Sequence, residues 1–163
     1  MANNQKRIEL LDCTLRDGGH INQGHFGKKV IKAIIEKLVK ANTDIIEAGF
    51  LWDQPTSADV ARFDSIDKLK AYLPEDMGNS KISLMADNVD LSGLADYDGT
   101  VDIIRLSFRK EELDWAKRNA KILEAKGYKY YINPIHGSAI SDYEYLKFID
   151  EVNELKPYGF SIV

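Results

Sequence analysis

The stretch Leu11-Asp12-Cys13-Thr14-Leu15-Arg16-Asp17-Gly18-Gly19-His20 organises the chain around it. The apolar run Ile8 to Leu11 leads into it and reads as a strand, placed over Arg7 to Thr14. A cation, a carboxylate and an imidazole then follow within five positions, beside two glycines that would let the backbone turn and approach a ligand. Charge at the exit of a buried strand is costly unless it is paired or holds a metal or ligand. The plain alternative is a surface turn in which Arg16 pairs Asp17 and His20 is incidental.

Downstream, strand and helix alternate. Gly27 to Ala41 has the 3.6-residue period of a helix, with Val30, Ile31, Ile34, Ile35, Leu38 and Val39 inward. Asp44 to Gly49 is a short strand. Asp59 to Tyr72 reads as a second helix, with Val60, Phe63, Leu69 and Leu73 inward and Pro74 stopping it. Lys81 to Met85 is a third strand, and Val89 to Tyr97 is ambiguous, with a short helical turn as one reading. Val101 to Ser107 is strand four. Glu111 to Lys126 is a helix with acids at its start and Gly127 past its end, as the helix dipole and a left-handed cap favour. Tyr128 to Asn133 is strand five. Ser141 to Glu144 is a capping box for a helix burying Tyr145, Phe148, Ile149, Val152 and Leu155, ended by Pro157. Gly159 to Val163 is strand six.

Five βα units and a strand imply a parallel sheet with right-handed crossovers. At 163 residues the length suits one domain with a proper core, and an open doubly wound sheet is the ordinary solution at that size. An eight-stranded barrel typically needs about 250 residues.

With 22 basic and 26 acidic residues the net charge is −4, which argues against a general nucleic-acid binder. The single cysteine, Cys13, excludes an internal disulfide and reads as a packed thiol. Met1 to Glu9 lacks the apolar core of a signal peptide, and no apolar run approaches a membrane span. A cytoplasmic protein is expected.

The segment DCTLRDGGH resembles the opening signature of the metal-dependent aldolase and lyase superfamily. That group includes 4-hydroxy-2-oxovalerate aldolase, hydroxymethylglutaryl-CoA lyase and isopropylmalate synthase. His20, two places after the TLRDG core, brings it closest to the 4-hydroxy-2-oxovalerate aldolase branch. More weakly, DIIEAGF is similar to the family's second strand and VDIIRLSF to its fourth. The resemblance implies a TIM (β/α)8 barrel, of which 1–163 would be the N-terminal portion of the catalytic domain, about (βα)5β. The open doubly wound sheet remains the alternative. An unclosed barrel would leave two strand edges without partners, so self-association is expected.

In either architecture the site lies beyond the carboxyl ends of the strands. That rim gathers Arg16, Asp17 and His20 after strand one and Glu47 closing strand two. Arg105 and Ser107 end strand four, and His136 follows strand five. By resemblance, Asp17 is a metal ligand, a hard oxygen donor suited to Mg2+ or Mn2+. Arg16 would stabilise the enolate oxygen, and His20 would take the substrate hydroxyl proton. Glu47 needs a partner at the end of an apolar strand, and Arg16 is a plausible one. Arg105 and Ser107 could instead cap a neighbouring helix. His136 could line a pocket or be a solvated loop histidine, and His25 is taken as incidental.

The resemblance implies aldol cleavage or formation through a metal-stabilised enolate of a 2-oxo acid, by a homo-oligomer with no nucleic-acid or membrane partner. Acyl-CoA-dependent chemistry of the same superfamily and a non-catalytic domain binding a small anion or a partner are the alternatives. One departure matters. The family completes its metal site with a His-x-His pair, which the histidines His20, His25 and His136 do not form. The chain is therefore expected to hold metal weakly and turn over little, with metal dependence residing in a longer protein.

Overall fold

A computed structural model describes residues 7–135 and 141–161. The elements are β1 (Leu11–Asp12), α1 (Thr14–Asp17), a 3-10 turn (Gly18–His20), α2 (Lys28–Lys40), β2 (Ile45–Leu51), β3 (Arg62–Phe63) and α3 (Ile66–Lys70). Then come β4 (Lys81–Asp87), β5 (Ile103–Phe108), a 3-10 turn (Lys110–Glu112), α4 (Leu113–Ala125), β6 (Lys129–Pro134), α5 (Asp142–Leu155) and β7 (Gly159–Phe160).

All strand pairings are parallel, in the order β1-β2-β4-β5-β6-β7, with β3 also on β2. The order advances in one direction. A doubly wound sheet reverses direction at a switch point. The sheet here curls as a half-barrel, the parallel α/β architecture anticipated from the alternation.

The two faces of the sheet differ in chemistry. Side chains alternate along a strand. Ile46, Ile82, Leu84, Ile104, Leu106 and Ile132 point to the helical layer and join Ile31, Ile35, Ala116, Ala120 and Leu123 in the main core. The intervening positions carry Glu47, Ser83, Asp87, Arg105, Ser107 and Asn133. A parallel sheet in a closed fold is usually aliphatic on both faces. Here the concave face is mixed: Ile45, Ile103 and Met85 also lie on it, and its polar groups gather towards the carboxyl ends.

Several expected elements differ. The first strand is two residues long rather than Arg7 to Thr14, because β1 has a neighbour on one side only, and Ile8 is 91% exposed. Thr14 onward winds into a helical turn, with the Asp17 amide donating to the Cys13 carbonyl at 2.7 Å. Gly18 is in right-handed helical conformation at φ −59°, so the reversal comes from helical turns and not from glycine freedom. Val30 is exposed on α2, while Ile31 and Ile35 are fully buried.

The helix expected over Asp59 to Tyr72 is confined to Ile66–Lys70, capped by Ser65, whose hydroxyl accepts from the Lys68 amide. Residues 60–63 are extended instead. The Ala61 amide donates to the Gly24 carbonyl at 2.9 Å, and the Phe50 amide donates to the Ala61 carbonyl at 3.1 Å. β1 covers the first half of the β2 edge, and β3 takes the second half, where the chain after Cys13 has turned away. The register of β2 against β4 shifts between Glu47 and Phe50. Gly49, at φ +147°, sits in that bulge against the Ala61 backbone, where a Cβ would collide with the carbonyl.

Val89 to Tyr97 forms turns rather than a helix. Fully buried Asn119 ties it down by accepting from the Leu91 amide, and the Trp115 indole donates to the Val89 carbonyl. The capping box at Ser141 and the left-handed Gly127 are present as expected. In α5, Phe148 and Val152 are buried, whereas Tyr145, Ile149 and Leu155 are half-buried. The last strand is described as Gly159–Phe160 only.

Candidate active site

Glu47 is the centre of the concave face. Its side chain is 0% exposed, and both carboxylate oxygens are occupied. The Arg16 Nε donates to Oε2 at 2.6 Å, and the Arg105 Nη1 donates to Oε1 at 2.9 Å. Arg105 continues the chain of contacts, its Nη2 donating to the Asn133 side-chain carbonyl at 2.7 Å. The network Arg16–Glu47–Arg105–Asn133 therefore joins α1 to β2, β5 and β6. A buried ion pair with its hydrogen bonds filled is tolerated where an unpaired charge is not.

Arg16 also donates from Nη1 to Asp17 Oδ1 at 2.8 Å. Burial opposes its charge, but the charge and hydrogen bond of Glu47, with help from Asp17, outweigh this and raise its pKa above the ordinary guanidinium value. It stays a cation. Its Nη2 has no hydrogen-bond partner among the described residues. Asp17 is 60% exposed and lies 3.9 Å from His20 Nε2.

Arg16 and His20 line a cavity of about 170 Å3 together with Phe50, Trp52, Arg62 and Asp87. His20 stands edge-on to the Phe50 ring, with centroids 6.3 Å apart. The bulge at Gly49 brings Phe50 into register with Met85, on the concave side. Burial, reinforced by nearby Glu112, pushes the Asp87 carboxyl above the ordinary range, against a smaller opposing pull from Arg109. Its proton is therefore held more tightly than that of a free aspartate. Cys13 is half-buried, and burial raises its thiol pKa, the setting of a packed rather than a reactive cysteine.

The candidates read from the sequence sort into three groups. Arg16 and His20 face one cavity, with Asp17 bonded to the first and close to the second. Glu47 and Arg105 are buried supports: both Glu47 oxygens are taken, by Arg16 and Arg105, and Arg105 also bonds Asn133, while its buried Nε has no partner among the described residues. Glu47 does not line the cavity, and Arg105 caps no helix. Ser107 is buried between Asp87 and Asn133 in the sheet register and does not line the cavity. His136 lies outside the described residues. His25 makes an isolated bridge with Val60 and is not in the cavity wall.

Asp87, Asn133, Trp52 and Arg62 were not singled out in the sequence. Asp87 and Asn133 carried a usable signal, as polar residues ending apolar strands. Trp52 and Arg62 meet only through the long-range β2–β3 pairing.

Among the described residues no three His, Cys, Asp or Glu side chains come together as metal ligands. Asp17 has one carboxylate oxygen engaged by Arg16, and a hard divalent cation takes about six ligands. The described residues therefore do not hold such an ion by themselves. A larger cavity of about 450 Å3 lies between α3 and residues 89–98. Of its aspartates, Asp64 is paired with Lys68, and Asp67 and Asp98 with Lys70. No helix is long and apolar enough to cross a membrane among the described residues.

No protein-family profile and no curated protein sequence matches the chain. Among solved structures, it is similar to the "N-terminal domain of a putative aldolase from Bacteroides vulgatus", with a TM-score of 0.57 and 22% identity. The match covers 83% of this chain and 48% of that one. The chain thus spans about half the length of this neighbour, and at that identity the likeness is one of fold.

Proposed function

We propose that the rim after β1 and β2 binds a 2-oxo acid and stabilises its enolate during reversible carbon–carbon cleavage, as in the 4-hydroxy-2-oxovalerate aldolase branch that the sequence resembles. One observation carries this reading. Arg16 is locked in place by a fully buried carboxylate at 2.6 Å while Nη2 remains unspent beside a cavity that it shares with His20. A fixed, permanently charged donor aimed where an oxyanion develops needs no reorganisation during reaction.

In the cleavage direction His20 takes the proton of the C4 hydroxyl. The O–H electrons form the C4 carbonyl, and the C3–C4 bond breaks onto C3. Cleavage itself yields the aldehyde and an enolate whose oxygen is held by Arg16. A proton from water at C3 turns the enolate into the shorter 2-oxo acid, and His20 returns its proton to the solvent. Glu47 and Arg105 are positioning residues, since they act through Arg16. The steps are assigned to side chains alone, because the described residues do not complete a divalent-cation site. A longer protein would have to supply ligands beside Asp17.

Titration of the chain with pyruvate, followed by NMR of the arginine Nε and histidine ring signals, tests the reading. Pyruvate should move the Arg16 and His20 signals. Arg16→Met should abolish the response, and Arg16→Lys should retain part of it. A folded Arg16→Met chain that binds pyruvate as well as the parent removes the proposal.

A further inference from the structure

The cavity holds a second guanidinium. Arg62 reaches it from β3, and its charged head lies over the Trp52 ring, 4.6 Å from the centroid. Its Nε is buried and has no hydrogen-bond partner among the described residues. Arg16 and Arg105 are both held by Glu47. Arg62 meets no carboxylate among the described residues. A half-buried guanidinium with unspent donors is unfavourable unless water or an anion completes it.

Its placement is fixed by backbone rather than by chance. Arg62 is in register with Phe50, and the Trp52 amide donates to the Phe63 carbonyl at 2.9 Å. Cation and ring therefore ride on two hydrogen-bonded strands, and the stack holds the planar fork in one orientation. Such a fork suits a carboxylate better than an ammonium does.

We infer that Arg62, stacked on Trp52, is a second anion-binding point of the cavity, selecting a substrate with a carboxylate remote from its 2-oxo acid group. This rests on the reading of the Arg16 rim as the 2-oxo acid site. The substrate class becomes a 4-hydroxy-2-oxo diacid, cleaved to a 2-oxo monoacid and an aldehyde bearing a carboxylate. A cavity of about 170 Å3 is in keeping with so small a molecule.

Binding of 2-oxoglutarate, 2-oxohexanoate and pyruvate to the chain decides it. The parent should bind 2-oxoglutarate about tenfold more tightly than 2-oxohexanoate, as expected of one charge-assisted contact. Arg62→Met should erase that preference, while pyruvate binding still depends on Arg16. Arg62→Gln should lose it too, and decides the matter if Arg62→Met does not fold. Equal binding of the two longer acids by the parent, or a preference that survives loss of the Arg62 charge, overturns the assignment. Pyruvate binding indifferent to Arg16 instead strikes the enolate reading, so the two failures are told apart.

Discussion

Glu47 and Arg16, 31 positions apart in the chain, meet at 2.6 Å with the carboxylate wholly buried. That contact joins the DCTLRDGGH turn to the sheet. Replacing Glu47 with Gln should strand two cations against a neutral acceptor. Removing one partner of a buried pair costs about 3–5 kcal/mol, and Gln, which keeps an acceptor, should fall near the lower end. Urea unfolding should show a lower midpoint with an unchanged slope, and the variant should also lose the pyruvate response expected of Arg16.

Gly49 is the second sensitive position. A Cβ there meets the Ala61 carbonyl, and φ is +147°. Gly49→Ala should destabilise by more than about 3 kcal/mol, combining a backbone clash with a disfavoured conformation. Thermal unfolding measures it. The more informative readout is the environment of Trp52 and Phe50, which should change because β3 is pushed off β2.

Asp87 should limit stability at neutral pH. Burial raises its folded pKa, so the unfolded chain releases this proton more readily. Stability therefore falls as pH climbs from the ordinary aspartate range, near about 4, through the raised folded value, and stays lower above it. Asp87→Asn should be more stable than the parent at neutral pH and equal to it in acid. Denaturant melts across pH give the comparison.

The sign is opposite for Asp98. Hydrogen bonds from Lys70 and Thr100 hold its pKa down to about 2. Its contribution is present above the ordinary aspartate range and is lost as pH falls from about 4 to about 2. The group is partly exposed, so the effect is small and should weaken in high salt. Asp98→Asn should flatten the acid limb of the stability profile in that window and be slightly less stable than the parent above it.

Much of this arrangement was legible in the sequence. The strands expected over Val101 to Ser107 and Tyr128 to Asn133 are present, each displaced by a residue or two as Ile103–Phe108 and Lys129–Pro134, and the TLRDGGH cluster pointed to the rim. The pairing of Glu47 with Arg16 followed from the cost of burying a lone carboxylate. What escaped was non-local. Val60 and Phe63 have helical spacing, yet their backbone is claimed by the free half of the β2 edge. Lys81 to Asp87 was cut at Met85, which hid Asp87. Nothing local foretells that Gly49 bulges and brings Trp52 beside Arg62.

At the ends of the sheet, β1 and β7 each have one described neighbour, and Phe160 is 37% exposed. Open parallel edges recruit other strands. Sedimentation velocity should therefore show mass rising with concentration, and Phe160→Lys should shift the balance towards monomer. A single monomeric species at high concentration would count against it.

The division of the sheet into an aliphatic face and one that carries the ionic groups also dictates how the strands can pair. Moving β5 one position along β4 would thrust Arg105 and Ser107 under α4 and leave Ile104 and Leu106 beside Glu47. Every one-residue slip thus buries bare charge and wets hydrocarbon at once. The residues proposed for catalysis therefore also act as alignment marks, rejecting one-residue slips in a chain whose single cysteine allows no internal disulfide.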